Sequence, residues 1–149
     1  MLHLIKEITD SFFNLISEDP VRPNIPHMDR VGSNKDIFVL RDENNNVKAI
    51  TCVSYQASIP ECESGLFEIT DNPQVAIFYT IWSYAPGAGR TLIFDAVSYI
   101  KENNKNIKRF VTLSPRTDMA RRFHLKNGAI VYRENTETVN YEYLNALLV

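Results

Sequence analysis

One stretch of the sequence decides the fold: residues 75–93 read VAIFYTIWSYAPGAGRTLI. Its first eight residues are almost continuously apolar and rich in β-branched and aromatic side chains, which is typical of a central strand buried on both faces. A turn around Pro86 and Gly87 follows, and beyond it apolar residues recur at helical spacing. The stretch therefore predicts a buried strand that leads through a glycine turn into a helix over about residues 90–103.

The turn, Gly87-Ala88-Gly89-Arg90-Thr91, is suited to binding phosphate groups. The first N–H groups of a helix lack internal partners and lie at the positive end of the helix dipole. Gly87 and Gly89 have no side chain to obstruct a ligand, while Arg90 and Thr91 add a charged donor and a hydroxyl. A tight strand-to-helix turn without a ligand explains the same residues equally well.

Two other phosphate-binding motifs fit this turn less well. A dinucleotide-binding fingerprint requires a third small residue where Leu92 stands. A P-loop alignment is matched only at Gly89 and Thr91, and no later strand ends in the Asp that would hold magnesium. Nucleotide hydrolysis is therefore the weakest interpretation of the turn.

The rest of the chain predicts one domain spanning residues 1–149. Apolar residues at helical spacing predict an amphipathic helix over residues 2–17, and three prolines then make residues 20–33 a long loop. A short helix is expected at residues 117–126, and strands at residues 37–40, 47–55, 66–69, 109–113, 129–132 and 138–143. This order predicts an α/β (α+β) fold with a mixed, mostly antiparallel sheet flanked by helices.

The composition excludes several classes of protein. The chain has 149 residues, of which 44% are hydrophobic, and a formal net charge of −2, so no general basic field draws it to nucleic acid or to an anionic membrane. The longest apolar run is too short to span a bilayer. Cys52 and Cys62 are too few for a disulfide framework or a zinc site, so free thiols are expected. We expect a soluble, cytoplasmic protein without a metal.

A second motif lies in register with the first. Residues 117–129 read TDMARRFHLKNGA, and they are similar to the Asn-x-x-Ala-x-x-Leu-Tyr-x-Lys-x-Gly-Phe unit of the GNAT (Gcn5-related) N-acetyltransferases. The residues that match are Ala120, the apolar Phe123, Lys126 and Gly128. The glycine turn resembles the coenzyme A turn of that family, Gln/Arg-x-x-Gly-x-Gly/Ala followed by a basic residue, with Tyr84 in place of Gln/Arg.

The resemblance covers about residues 75–143 and implies an enzyme that transfers an acetyl group from acetyl-CoA to a primary amine, which attacks the thioester directly. It implies two splayed strands that hold the pantetheine arm, and a backbone N–H near Ile81 and Trp82 that polarises the acyl carbonyl. The first strand of the family is missing or reduced to a few residues near His3. The implied coenzyme contacts are Ile81, Trp82, Ser83, Tyr84, Gly87, Ala88, Gly89, Arg90, Thr91, Thr117 and Arg121.

The acceptor implied by the resemblance is an amine of a small molecule or of a protein. Residues 20–33 are interpreted either as a lid over this acceptor or as a plain surface loop. Homodimer formation is left open.

Two residues are candidates for the proton transfers. His124 stands where the family has a Tyr that protonates the leaving thiolate, and it is interpreted as this acid, as a coenzyme contact, or as the relic of a lost activity. Glu68 is the candidate general base, since its apolar neighbours favour the protonated carboxyl, although a solvated carboxylate is the simpler interpretation. The departures from the family at Tyr84, Thr117 and His124 keep a second function open, that of a non-catalytic acyl-CoA-binding or partner-binding domain.

Overall fold

The computed structural model describes residues 1–144, so residues 145–149 of the expected single domain lie outside it. The described part contains the strands β1 (Leu2–Ile5), β2 (Lys35–Arg41), β3 (Val47–Gln56), β4 (Val75–Ser83), β5 (Arg109–Thr112), β6 (Ser114–Pro115), β7 (Ile130–Glu134) and β8 (Thr138–Glu142). It also contains the α-helices α1 (Ala88–Asn103) and α2 (Asp118–Lys126) and the 3₁₀ turns Phe13–Glu18, His27–Arg30 and Glu63–Leu66. No helix among these residues is long and apolar enough to cross a membrane.

All eight described strands form one sheet, in the order β1-β2-β3-β4-β5-β8-β6, with β7 paired to β8. The pairs are antiparallel except for β4 and β5, which run parallel over Val75–Phe78 and Arg109–Thr112. The predicted mixed, mostly antiparallel sheet is confirmed. Parallel neighbours need a long crossover connection, and α1 supplies it.

Apolar layers cover both faces of the sheet. The face that packs against α1 and α2 is called the helix face, and its buried residues include Phe38, Phe78, Leu92, Ala96, Ile100 and Phe110. The opposite face is covered by residues 12–31 and 59–67 and is called the loop face. Its buried residues include Ile16, Ile25, Ile50, Leu66, Ile77 and Tyr79. The proline-containing segment therefore covers one face of the sheet in place of a helix.

The helix predicted over residues 2–17 is wrong. Leu2–Ile5 pair with β2 as an edge strand that includes His3, and only Phe13–Glu18 is helical, as a 3₁₀ turn. The Asp10 carboxylate accepts a hydrogen bond from the Phe12 N–H at 2.8 Å and so begins a turn between them. The apolar spacing in this short segment fits either structure, and the open edge of β2 decides for the strand.

The strand predicted at residues 66–69 is also wrong. Leu66 ends a 3₁₀ turn and is fully buried, whereas Ile69 is 95% exposed. The Leu66 C=O accepts hydrogen bonds from the Ser54 hydroxyl at 2.6 Å and the Gln56 amide at 2.9 Å. Side chains of β3 thus satisfy the backbone that a strand would otherwise pair.

A buried ion pair attaches the loop segment to the centre of the sheet. Nη1 of Arg30 lies 2.6 Å from Oδ2 of Asp19, and neither side chain is exposed. The other carboxylate oxygen of Asp19 accepts hydrogen bonds from the Thr80 hydroxyl at 2.8 Å and from the N–H groups of Val21 and Arg22 at 2.7 and 3.0 Å. One acidic side chain therefore joins the loop face to β4.

We predict that Arg30→Met lowers the free energy of unfolding by about 3–5 kcal/mol, because it leaves the Asp19 carboxylate buried without its countercharge. Urea denaturation followed by circular dichroism measures this change. The control is Lys6→Met, which removes the exposed partner of Asp36 and is expected to cost less than about 1 kcal/mol. Equal effects of the two substitutions would contradict the assignment of Arg30 as a buried countercharge.

Candidate functional site

The strands β4 and β5 separate after Phe78 and Thr112. Their last contact is a hydrogen bond from the Leu113 N–H to the Phe78 C=O at 3.0 Å. The next residues, Ser114–Pro115, pair with β8 instead of β4. The buried Asn140 amide donates to the Thr112 C=O at 2.8 Å, which draws this chain segment toward β8. A gap therefore opens between the second half of β4 and the segment that follows β5.

A bulge in β4 determines which side chains line the gap. The pairing of β4 with β3 skips Tyr79, so this residue is the extra one of a β-bulge. Tyr79 and Thr80 therefore both face the loop side, where the Thr80 hydroxyl reaches Asp19. Alternation then resumes, with Ile81 on the helix face and Trp82 on the loop face.

The backbone of β4 also presents polar groups to the gap. The N–H of Tyr84 donates to the Lys48 C=O at 2.8 Å, on the side of β3. Because the N–H groups of successive strand residues point to opposite edges, those of Ile81 and Ser83 point into the gap. The Ile81 N–H is thus the group that could donate to an acyl carbonyl there.

A cavity of about 360 Å³ occupies the gap. Its wall includes Gly89 and Phe123 from the helix face and Pro20 and Val21 from the loop segment. The cavity therefore extends between the two faces of the sheet. The candidate site residues that the structure brings together in this wall are Ile81, Trp82, Ser83, Gly89, Thr117 and His124. Those that do not line it are Glu68, Tyr84, Gly87, Ala88, Arg90, Thr91 and Arg121.

Glycine is favoured at the two positions of the turn for different structural reasons. Gly87 caps α1 with a φ of 77°, a left-handed conformation that favours glycine. A Cβ atom on Gly89 would lie 2.9 Å from Cζ of Phe123, so this glycine allows α1 and α2 to approach closely. No described residue accepts a hydrogen bond from the N–H groups of Gly89 and Arg90. The turn is therefore a tight strand-to-helix connection that also leaves open donors.

Thr117 and Arg90 both make contacts within the protein. The Thr117 hydroxyl caps α2 by accepting a hydrogen bond from the Ala120 N–H at 3.2 Å. The Arg90 guanidinium lies 4.9 Å from the centre of the Phe94 ring and donates to the Asn127 side chain at 3.2 Å. Arg90 is nevertheless exposed, so its charge is accessible to a ligand at the start of α1.

Tyr84, expected to line a coenzyme channel, has a different environment. Its hydroxyl accepts a hydrogen bond from Nε1 of Trp82 at 2.9 Å and donates one to the Glu18 carboxylate at 2.5 Å. Partial burial and the bond to Glu18 raise the pKa of this hydroxyl. Tyr84 thus ties the end of β4 to the 3₁₀ turn at Phe13–Glu18.

His124 is 4% exposed, and its burial lowers its pKa from 6.5 to about 4. Nδ1 of its ring lies 2.6 Å from the Tyr143 hydroxyl, whose pKa burial raises, so this hydroxyl keeps its proton and is able to donate to Nδ1. The ring hydrogen then resides on Nε2. At neutral pH His124 is a neutral hydrogen-bond donor, which suits a coenzyme contact better than an imidazolium acid.

Glu68 is not brought to the cavity. Its side chain is exposed, and it follows the 3₁₀ turn rather than standing in an apolar strand. Among the described residues, the cavity wall contains no carboxylate. The acidic group bonded to that wall is Asp19, which accepts hydrogen bonds from Thr80 and Val21.

Arg22 is the residue that sequence reasoning missed. It donates from Nε to the Tyr79 C=O at 3.3 Å and from Nη2 to the Leu113 C=O at 2.8 Å, so it bridges the two strands where they separate. Its sequence context, an arginine between two prolines of a long loop, carries no pattern that indicates this position. Within residues 1–144, no group of three or more His, Cys, Asp and Glu residues is placed to hold a metal ion.

Comparisons with known proteins identify the fold. No protein-family model and no curated protein matches the sequence. The malonyl-CoA decarboxylase from Cupriavidus metallidurans is similar in structure, with a TM-score of 0.76, 15% identity, and coverage of 96% of this chain and 60% of that chain. The GNAT domain of S. lividans PAT has a TM-score of 0.66 and 9% identity, over 95% of this chain and 88% of that chain.

A third similar structure is AtaTR bound with AcCoA, with a TM-score of 0.62, 11% identity, and coverage of 99% and 96% of the two chains. The chain spans only 35–60% of the length of the malonyl-CoA decarboxylases that it matches. These likenesses establish the class of structure. The protein has the GNAT fold.

We predict that protonation of His124 destabilises the protein, with a sign set by its lowered pKa. Between about pH 6.5 and 4 the unfolded state binds the proton and the folded state does not, so stability falls as the pH falls. The expected loss is about 2 kcal/mol between about pH 7.5 and 5. Urea denaturation of the wild type and of His124→Asn measures it as the difference in their pH dependence.

The matched control for this titration is His27→Asn, which changes a half-buried histidine away from the cavity. This control is expected to retain the wild-type pH dependence. An NMR titration in which the His124 ring protonates near its ordinary pKa would contradict the prediction.

Proposed function

We propose that this protein binds acyl-CoA between the separated strands and transfers the acyl group to a primary amine. The observation that carries the proposal is the gap beside β4, with its cavity leading past the open N–H groups at the start of α1. An extended molecule with amide groups is able to take the place of the missing strand partner. A helix N-terminus at one end of that path suits a pyrophosphate.

Each part of the coenzyme has a proposed position. The phosphates bind the N–H groups of the turn Gly87–Thr91 and the exposed Arg90. The pantetheine arm passes Ser83 and Thr117, and the acyl carbonyl accepts a hydrogen bond from the Ile81 N–H. The acyl group and the acceptor meet beside the loop segment at Pro20 and Val21, which line the cavity.

In the proposed reaction the amine nitrogen attacks the thioester carbon, a C–N bond forms and the C–S bond breaks. The proton that the amine loses finally resides on the coenzyme thiol. The neutral His124 donates a hydrogen bond from Nε2 to the leaving sulfur. Because the described cavity wall holds no carboxylate, the amine enters already neutral.

Cys52 and Cys62, both free, support a cytoplasmic location.

We predict that Arg90→Glu weakens acetyl-CoA binding by about 10- to 100-fold, because it places a negative charge beside the phosphates. Isothermal titration calorimetry measures the affinity. The control is Lys105→Glu, which makes the same charge change in an exposed position beyond the other end of α1. Equal affinities of the two variants would overturn the phosphate position.

We predict that transfer to an alkylamine accelerates with pH, by about tenfold per unit between about pH 7 and 9, since only the neutral amine attacks and its pKa is about 10. Release of free thiol from acetyl-CoA measures the rate. An amine that is already neutral at pH 7 is expected to show a flat profile. A plateau for the alkylamine near neutral pH would reveal a general base in the protein and contradict this mechanism.

The second candidate function is an acyl-CoA-binding domain without transfer activity. The neutral His124 and the absence of a carboxylate from the described cavity wall favour it. Tight acetyl-CoA binding without thiol release for alkylamines and for amines of low pKa would support this candidate. Malonyl-CoA belongs in the same assay, because several similar structures are malonyl-CoA decarboxylases, and its conversion to acetyl-CoA would replace the transfer proposal.

A further inference from the structure

Strands that separate leave backbone carbonyls without partners at the point of separation, and a buried carbonyl without a partner is costly. In this sheet the two carbonyls at that point belong to Tyr79, on β4, and to Leu113, just after β5. Both residues line the cavity. Arg22 donates to both of them, at 3.3 Å from Nε and 2.8 Å from Nη2. One guanidinium thus replaces the hydrogen bonds that the two strands would otherwise exchange.

The backbone of Arg22 is itself held in place. Its N–H donates to Oδ1 of Asp19 at 3.0 Å, and its C=O accepts a hydrogen bond from Nη2 of Arg30 at 2.7 Å. Asp19 and Arg30 form the fully buried ion pair of the loop face. The Arg22 side chain is only 11% exposed. The guanidinium is therefore delivered to the two strands by a segment that has little freedom to move.

The planar shape of the guanidinium suits this position. Its N–H groups diverge in a fixed fork, so two of them are able to reach carbonyls on two different strands at once. An ammonium group concentrates its donors on one nitrogen and does not span the same distance. Arg22 also sets a minimum separation, since the strands cannot approach while a side chain lies between their carbonyls.

We propose that Arg22 is a positioning residue that holds β4 apart from the chain after β5 and so preforms the cavity before any ligand enters. The identity of the ligand as acyl-CoA rests on the proposed function, whereas the separation of the strands does not. Arg22 acts through Tyr79 and Leu113, whose neighbours form the wall against which the ligand packs. A preformed gap spares the ligand the cost of opening the sheet.

Chemical rescue separates this role from a general contribution to stability. Arg22→Ala is expected to bind acetyl-CoA about 10- to 100-fold more weakly than the wild type. Guanidinium chloride at low, non-denaturing concentration is expected to restore binding, because the free ion fits the vacated position, while sodium chloride at equal ionic strength is not. Weakened binding that guanidinium does not restore, or wild-type affinity in Arg22→Ala, would overturn the proposal.

A measurement without coenzyme keeps this test independent of the proposed function. The amide NMR signals of Ile81 and Ser83, whose N–H groups point into the gap, are expected to shift in Arg22→Ala and to return with guanidinium. Failure of the wild type to bind acetyl-CoA, with this rescue intact, would refute the proposed function alone. Unshifted amide signals in Arg22→Ala would refute the positioning role alone.

Two further variants complete the design. Arg22→Lys keeps the charge but not the fork, so it is expected to bind acetyl-CoA more weakly than the wild type and to serve if Arg22→Ala fails to fold. Arg109→Ala removes a guanidinium from the opposite end of β5, where it pairs with Glu142 at 2.7 Å. This control is expected to lose stability while retaining coenzyme affinity and showing no rescue. Wild-type affinity in Arg22→Lys would show that a positive charge alone holds the strands apart, which would contradict the role of the guanidinium fork.

Discussion

The carboxylate of Asp19 is the group on which the rest of the site depends. One of its oxygens forms a fully buried ion pair with Arg30, and the other accepts hydrogen bonds from Thr80 and from the backbone of Val21 and Arg22. These bonds join a segment of loops and 3₁₀ turns to the bulged half of β4. Because the pair is buried and each oxygen has a partner, the segment forms a firm wall for the cavity.

The site lies where β4 and β5 separate and the sheet is interrupted. Asn140, on β8, donates a hydrogen bond to the Thr112 carbonyl. Arg22, on the loop segment, donates hydrogen bonds to the carbonyls of Tyr79 and Leu113. The polar groups freed by the separation are thus divided into two sets. The carbonyls at the point of separation are satisfied by side chains, whereas donors farther along, such as the Ile81 N–H, remain directed into the gap. Donors left open beside a cavity are available to a ligand.

The electrostatics of the cavity favour binding over proton transfer. His124 has its pKa lowered by burial and stays neutral, and the described part of the wall has no carboxylate. Charges of both signs lie near the cavity: Arg22 is flanked by Asp19 and Glu63, whereas Arg90 is exposed at the start of α1. The exposed charge of Arg90 at the helix N-terminus is the one placed to attract an anion. Any transfer reaction therefore depends on the protonation state of the acceptor itself.

Local sequence determined the elements whose signals are complete within a few residues. The apolar run of β4, the turn at Gly87 and the capped helix α2 were all predictable, because burial on two faces, left-handed turns and helix caps each leave a local pattern. The mixed sheet followed from their order. The helix predicted at residues 2–17 failed because the edge of β2, distant in sequence, offered the better pairing.

Only the tertiary structure decided which residues share the cavity. Gly89 is needed because Phe123 packs against it, Glu68 is excluded because its loop leaves it exposed, and Arg22 is placed by its contact with Asp19 and by two carbonyls remote in sequence. None of these relations has a local pattern, since each depends on where distant segments meet. The sequence by itself determined a buried strand that leads through a glycine turn into a helix, and the folded chain decided what surrounds that turn.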